Sequence, residues 1–298
     1  MTKAWRKRAS KPLAMLIIAL AVAVALSLVV GLLWLILNHG RNQGAPADPL
    51  IPDDHCMAID GAYSGSMTPE QAGNAAIIVG ESLRRGLPAR AATIALVTAW
   101  QESSLQNLDY GDRDSLGLFQ QRPSQGWGTP EQIMNPWYAA GKFYNALVKV
   151  KNWQTMDIGA AAQAVQKSGY PNAYDQHVNA GRAWASALTG FTAAGVTCIL
   201  NQGTGGGATE LTNLLKKVWK NKLTIAQTDT GLTITATDNT TAWSVAQLSM
   251  AQLASYGIAS VQVGDHLWQS SPLSVAGWQQ LDDATQIISA TKVVLVLT

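Results

Sequence analysis

The chain is short of several things, and each shortage excludes something. It has two cysteines in 298 residues, Cys56 and Cys198, and four histidines. His55, His177 and His266 are isolated, with no metal-ligand spacing to other His or Cys residues, so no metal and no other cofactor is expected. Charge of neither sign dominates. Formal net charge is +2, and five cations (Lys3, Arg6, Lys7, Arg8 and Lys11) precede the first apolar run. Subtracting those five leaves −3 for everything after Lys11, so there is no basic excess to hold nucleic acid. Gly205-Gly206-Gly207 lacks both a preceding strand and a following Lys-Ser/Thr, which excludes a phosphate loop. The last ninety or so residues contain no repeat and no catalytic cluster.

What is present begins with an apolar run, Leu13–Leu37, of 25 residues without a charge. At about 1.5 Å per residue such a helix exceeds the ~30 Å hydrocarbon core of a bilayer. Ala45-Pro46-Ala47 resembles a signal-peptide cleavage site, but the apolar region of a signal peptide is only about 7–15 residues long. The expectation is an uncleaved signal-anchor that crosses the cell membrane once. The basic flank keeps its N-terminus cytoplasmic, places the bulk of the chain outside, and leaves Trp34 near the outer interface. Outside the membrane the two cysteines meet an oxidising compartment, and they bracket one continuous block of sequence. They are expected to pair, which on a chain-entropy model contributes about 4–5 kcal/mol; two independent buried thiols are the alternative.

Composition divides the chain into a basic cytoplasmic segment (1–12), a membrane anchor (13–37), a stalk (38–55), a domain (56–200), a Gly-rich linker (201–209) and a small domain (210–298). The class is α+β. The 56–200 domain reads as helical, with no convincing strand period. Thr68-Pro69-Glu70-Gln71 is a capping-box pattern for a helix that stops at Gly86, and Pro88 opens a second helix running to Glu102. Pro130 and Pro136 open further turns, and Ile158–Gln166 and Val178–Leu188 complete the set. In the last block Leu211, Leu214, Leu215, Val218 and Trp219 share one helix face. Hairpins are expected around Asp229-Thr230-Gly231 and Gly264-Asp265, with helices over Ala242–Tyr256 and Val275–Ala284 and a last strand over Lys292–Leu297. This block reads as a small α/β domain, carried on a flexible linker, that docks a partner or the wall.

The chemistry-bearing stretch is Trp100-Gln101-Glu102-Ser103, followed by a polar loop and Gly117-Leu118-Phe119-Gln120. Glu102 falls at the carbonyl end of its helix, where the helix's partial negative charge disfavours a carboxylate; Leu105 and Phe119 are candidates for an apolar wall beside it. A neutral glutamate there suits a general acid acting on a glycosidic oxygen; the alternative is a solvated glutamate at a helix end. Asp112, with Asp114 and Asp109, is the candidate second carboxylate, or else an Asp that caps its own turn. Trp127 lies between two glycines in an apparent loop, placed to stack on a sugar ring.

Glu-Ser at a helix end, then Gly-Leu-Phe-Gln, with Gly111-Asp112-Arg113 before it, resembles the lysozyme-like superfamily, and within it the family-1 lytic transglycosylases and goose-type lysozymes. The resemblance covers about Met67–Leu188. It implies an α-helical lysozyme-like domain with Glu102 as the acid, and peptidoglycan glycan strands as the substrate. It also implies sugar contacts from Ser103, Gln120, Gln121 and Gln166. Beside them Trp127 is the candidate stacking residue, and Tyr170 and Tyr174 are candidates to border the cleft, with core or rim packing as the alternative. The Ala-Tyr-Asn element of the transglycosylases is best matched by Ala164-Val165-Gln166, which keeps an amide and loses the phenol. The longer phrase Gly117–Gly128 resembles exported, membrane-anchored actinobacterial proteins, some of them associated with conjugation or secretion machinery. Hydrolysis and transglycosylation both remain open, and a non-catalytic wall-binding or assembly module is the alternative to an enzyme.

Overall fold

Local chemistry starts the fold where the capping box predicts. The structure is a computed structural model describing residues 54–298, apart from 171, 201–204, 206 and 271–276. The expected anchor, the cytoplasmic segment and most of the stalk and Gly-rich linker lie outside the described residues. Among the described residues no helix is long and apolar enough to cross a membrane. Helix α1 spans Pro69–Arg84; Thr68 Oγ1 accepts from Gln71 N at 3.2 Å, and Gln71 Oε1 accepts from Thr68 N at 2.8 Å. Helix α2, Ala89–Ser103, is buried on almost every side from Ala91 to Ala99 and forms the centre of the first block. A short α3 (Pro130–Ile133) packs on α4 (Pro136–Leu147), and α4, α5 (Ile158–Gln166) and α6 (Val178–Leu188) lie against α2.

The first block also holds a sheet that the sequence reading missed. Strands β1 (His55–Asp60), β2 (Tyr63–Met67) and β3 (Val196–Ile199) pair antiparallel in the order β2-β1-β3. The strands are short, and β3 meets β1 across nearly the whole block, so no local period announces them. The expected disulfide joins them: Cys56 faces Cys198 across β1 and β3 with their Cα atoms 4.0 Å apart. The sheet rests on α6. A Cβ on Gly65 would stand 2.7 Å from Ala180 Cβ, and the Gly65 carbonyl accepts from Trp184 Nε1 at 3.0 Å, so β2 can lie this close only because residue 65 lacks a side chain.

In the last block α7 (Ala208–Trp219) buries Leu211, Leu214, Leu215, Val218 and Trp219, the face read from the sequence. The hairpins form as β4 (Leu223–Thr228) with β5 (Gly231–Ala236), and β6 (Ile258–Val263) with β7 (His266–Gln269). The final strand β9 (Lys292–Leu297) lies between β5 and β6 in a six-stranded antiparallel sheet. The expected Val275–Ala284 helix is not found over its described part. Gln279–Gln280 instead forms β8 on the edge strand β7, and Trp278 Nε1 donates to Val196 O at 2.8 Å, so sheet pairing and a contact with the first block override the local helical pattern.

Helix α8 (Asn239–Ala251) lies between this sheet and the first block, and a short α9 (Leu253–Tyr256) follows it. Every residue of α8 from Ala242 to Ala251 is buried, including Ser244, Gln247 and Ser249. Gln247 explains how a buried amide is tolerated. Its Oε1 accepts from Gly195 N at 2.7 Å and Val196 N at 2.8 Å, while its Nε2 donates to Ala187 O and Thr192 O, both at 2.8 Å. Ser244 Oγ donates to Leu188 O at 2.6 Å. Gly190 passes so close that a Cβ there would sit 1.9 Å from Thr240 O. The two blocks therefore share one core, and the described residues pack as one compact unit.

Candidate functional site

Glu102 is the penultimate residue of α2, and the helix end that carries it is tied down by side chains. Ser104 and Leu105 both have positive φ, at 53° and 59°, which turns the chain sharply after Ser103. The last carbonyls of a helix need outside donors. Two amides of α1 supply them in the turn: Gln71 Nε2 donates to Ser104 O at 2.7 Å, and Asn74 Nδ2 to Leu105 O at 2.9 Å. Ser103 is buried, and its hydroxyl lies 2.8 Å from Leu118 O and 3.0 Å from Ala99 O. Its expected sugar contact is corrected: Ser103 joins the helix end to the Gly117–Gln120 turn. Leu105 and Phe119 are fully buried, Phe119 stacked on Phe143 at 4.7 Å, so both belong to the core.

The Glu102 carboxyl is half-buried and has one direct hydrogen-bond partner, a tyrosine that the sequence left open between cleft and core. Tyr174, fully buried, donates its hydroxyl to Glu102 Oε1 at 2.6 Å. Burial first, then the bond to Glu102 and its charge, push the Tyr174 phenol well above its ordinary value. It therefore stays protonated and donates at any working pH. A phenol thus reaches Glu102 from elsewhere in the chain, across 72 positions of sequence, and no local pattern announces that contact. Tyr170, the tyrosine expected at the sugar, is 79% exposed and does not join this group.

Neighbouring side chains fix the rest of the rim. His177 stacks on Trp100 at 5.7 Å with a 10° interplanar angle, and its Nε2 is 3.2 Å from Gln101 Oε1. Burial pushes the His177 imidazole down, toward the neutral form. Gln176 Nε2 donates to the same Gln101 oxygen at 3.0 Å.

The glutamines divide by role. Gln120 has φ 45°, its Nε2 lies 3.3 Å from both Tyr110 O and Gly117 O, and its Oε1 packs against Gly111, where a Cβ would stand 1.9 Å from it. Gln166 Nε2 donates to Phe119 O at 2.8 Å, so α5 is tied to the same turn. Gln121 is buried and donates to Ala139 O at 3.1 Å, opposite Leu116 in an isolated bridge. It holds the turn from inside, which corrects its assignment as a sugar contact. Trp127 is half-buried and accepts from Tyr138 Oη at its carbonyl, 3.3 Å away.

The loop carboxylates stand apart from Glu102, with Asp109 exposed. Asp112 is 89% exposed at its side chain, with Arg113 at 3.8 Å. Asp114 accepts from Ser124 N at 2.8 Å and Arg122 Nε at 2.7 Å, and these two donors hold its carboxyl well below the usual carboxylate range. Both read as loop chemistry, and neither is hydrogen-bonded to Glu102. Among the described residues no group of three or more His, Cys, Asp or Glu side chains is placed to hold a metal.

A prediction follows from the tyrosine. Tyr174→Phe keeps the ring and removes one hydrogen bond, worth roughly 0.5–1.5 kcal/mol. If that bond positions a catalytic Glu102, kcat on cell walls is expected to fall about 2–10-fold with KM little changed; an unaltered kcat rejects the positioning role. No protein-family model matches this sequence, and no curated protein matches it either.

Proposed function

We propose that this chain is a membrane-anchored peptidoglycan glycosidase, with Glu102 as the general acid for the β-1,4 bond between N-acetylmuramic acid and N-acetylglucosamine. The observation that carries this reading is the Tyr174–Glu102 pair, set on a helix end fastened to the Gly-Leu-Phe-Gln turn. A half-buried carboxyl with a fixed donor on one oxygen has its second oxygen free to meet the leaving group. The motif resemblance supplies the substrate class.

The loop favours the lytic transglycosylase form. A hydrolase wants a second carboxylate for water, whereas here Asp112 stands in solvent and Asp114 is held by Arg122 and Ser124. In the transglycosylase form Glu102 gives its proton to the bridging oxygen as the C1–O bond breaks and the pair of electrons leaves with that oxygen. The resulting carboxylate takes the proton of the muramic C6 hydroxyl while that oxygen bonds C1. A 1,6-anhydro ring closes, and the acid is restored.

Product mass tests this directly. Peptidoglycan digested by the protein is expected to release muropeptides with anhydro ends; reducing ends would mean hydrolysis with a water-activating group elsewhere. A second reading, a non-catalytic wall-binding module for a conjugation or secretion apparatus, is favoured by one observation. Cavities of about 500 and 440 Å³ on the surface are not walled by Glu102. Wall binding with no soluble fragment released would select that reading.

A further inference from the structure

The 440 Å³ groove lies between α4 and its C-terminal extension on one side and the end of α5 on the other. Its wall includes Lys142, Lys149 and Lys167, together with Trp127, Asn145 and Val165, and it contains no carboxylate. Lys149 and Lys167 are exposed, Lys142 half-buried with its Nζ 5.7 Å from the Tyr138 ring centroid. Among the described residues no Asp or Glu pairs with any of the three. Asn145 Oδ1 accepts from Arg85 Nη1 at 2.7 Å, and Arg85 is itself held by Glu81 Oε1 at 2.6 Å, which fixes the Asn145 amide and leaves its own hydrogens unspent. Three cations around one hollow are a local segregation in a sequence that carries −3 beyond Lys11.

We propose that this groove binds the carboxylate-bearing peptide stem of a muropeptide, an inference that rests on the glycosidase reading. Ammonium groups are compact donors suited to carboxylates, and 440 Å³ is within the usual size of a small-ligand site, large enough for a short branch and too small for a glycan strand. The chain ties the groove wall to the candidate site. Val165 is in its wall, and the next residue, Gln166, donates to Phe119 O in the turn fastened to Ser103. A peptide hanging from the muramic lactyl group leaves the glycan sideways, so its site is expected beside the acid, with Glu102 outside its wall. Trp127 offers a flat apolar face at the same place.

The test is a calorimetric titration of the full-length protein carrying Glu102→Gln, in detergent micelles. The probes are a disaccharide-peptide fragment with free carboxylates, the same fragment with its carboxylates amidated, and a glycerol-phosphate oligomer. The free form is expected to bind about tenfold more tightly than the amidated form, with the difference shrinking as salt rises. Lys142→Gln with Lys149→Gln should erase that difference, and Lys149→Arg should keep it. Should the double variant not fold, the exposed Lys149→Glu alone should reverse the preference. Equal affinity for free and amidated fragments, or tighter binding of the glycerol-phosphate oligomer, overturns the proposal. The titration needs no turnover, so inactivity of the unmodified protein would count against the acid and leave the groove standing. Equal binding alongside normal wall clearing would remove the groove alone.

Discussion

Replacing Glu102 by Gln is expected to lower the rate of cell-wall clearing by about 10²–10⁴-fold, the range that a positioned general acid contributes. The change is nearly isosteric. The new amide oxygen still accepts from the Tyr174 hydroxyl, and the ties at Ser104, Leu105 and Leu118 do not involve residue 102. Stability should therefore stay within about 1 kcal/mol of the parent, and wall binding should persist. What is lost is the proton. An amide cannot deliver one to the bridging oxygen, nor can it recover one from the muramic C6 hydroxyl. Clearing at the parental rate by a folded Glu102→Gln protein would remove Glu102 as the acid. The second reading, a wall-binding module, would then take its place.

The second large effect concerns the fold. Breaking the Cys56–Cys198 disulfide by replacing both residues with Ser is expected to cost about 2–5 kcal/mol, since the bridge closes a loop of 142 residues of sequence separation. For a unit of this size that is a fall in melting temperature of roughly 5–15 °C. The bridge joins β1 to β3, and both cysteines are buried in the core that α6 covers. The Met250 carbonyl, 3.8 Å from Cys198 Sγ, is an acceptor for the new hydroxyl at 198, so the loss is mainly that of the cross-link. Calorimetry with and without the substitution measures the shift, and an unchanged melting temperature would show that the β1–β3 pairing holds without the bridge. The candidate site lies on α2 and its following turn, so residual activity below the new melting point is expected to be close to that of the parent.

How much was legible beforehand differs by element. The first helix was readable because Thr68 and Gln71 satisfy each other's backbone three residues apart. The helix over Ala208–Trp219 was readable because its five large apolar residues repeat along one face. The small sheet was not, because β1 and β3 become strands only on meeting each other, across the whole block. The last block was read as a tethered module. Instead, the four bonds of Gln247 and the Ser244 bond fix α8 into the first block, and a lone buried amide in a helix gives no sign of that in the sequence.

The site shows the same division. The placement of Glu102 at a helix terminus before a Gly-containing turn followed from local signals: Pro88 starts the helix, and Gly117, at φ 72°, makes the turn. The duties of the flanking polar residues did not follow. Ser103 and Gln121 look in sequence like sugar contacts, but in the fold they bond main-chain carbonyls, because burial leaves those carbonyls no water to accept from. Tyr174 reaches Glu102 across 72 positions, and that encounter exists only once α2 and the segment before α6 have packed together. By itself the sequence determined the helix ends, the presence of two cysteines able to pair, and the position of Glu102 at a helix end, since each depends on composition or on neighbours within a few residues. Only the tertiary structure decided which phenol bonds Glu102, which amides merely fasten the loop beside it, and where three lysines surround a hollow, since these depend on which surfaces meet.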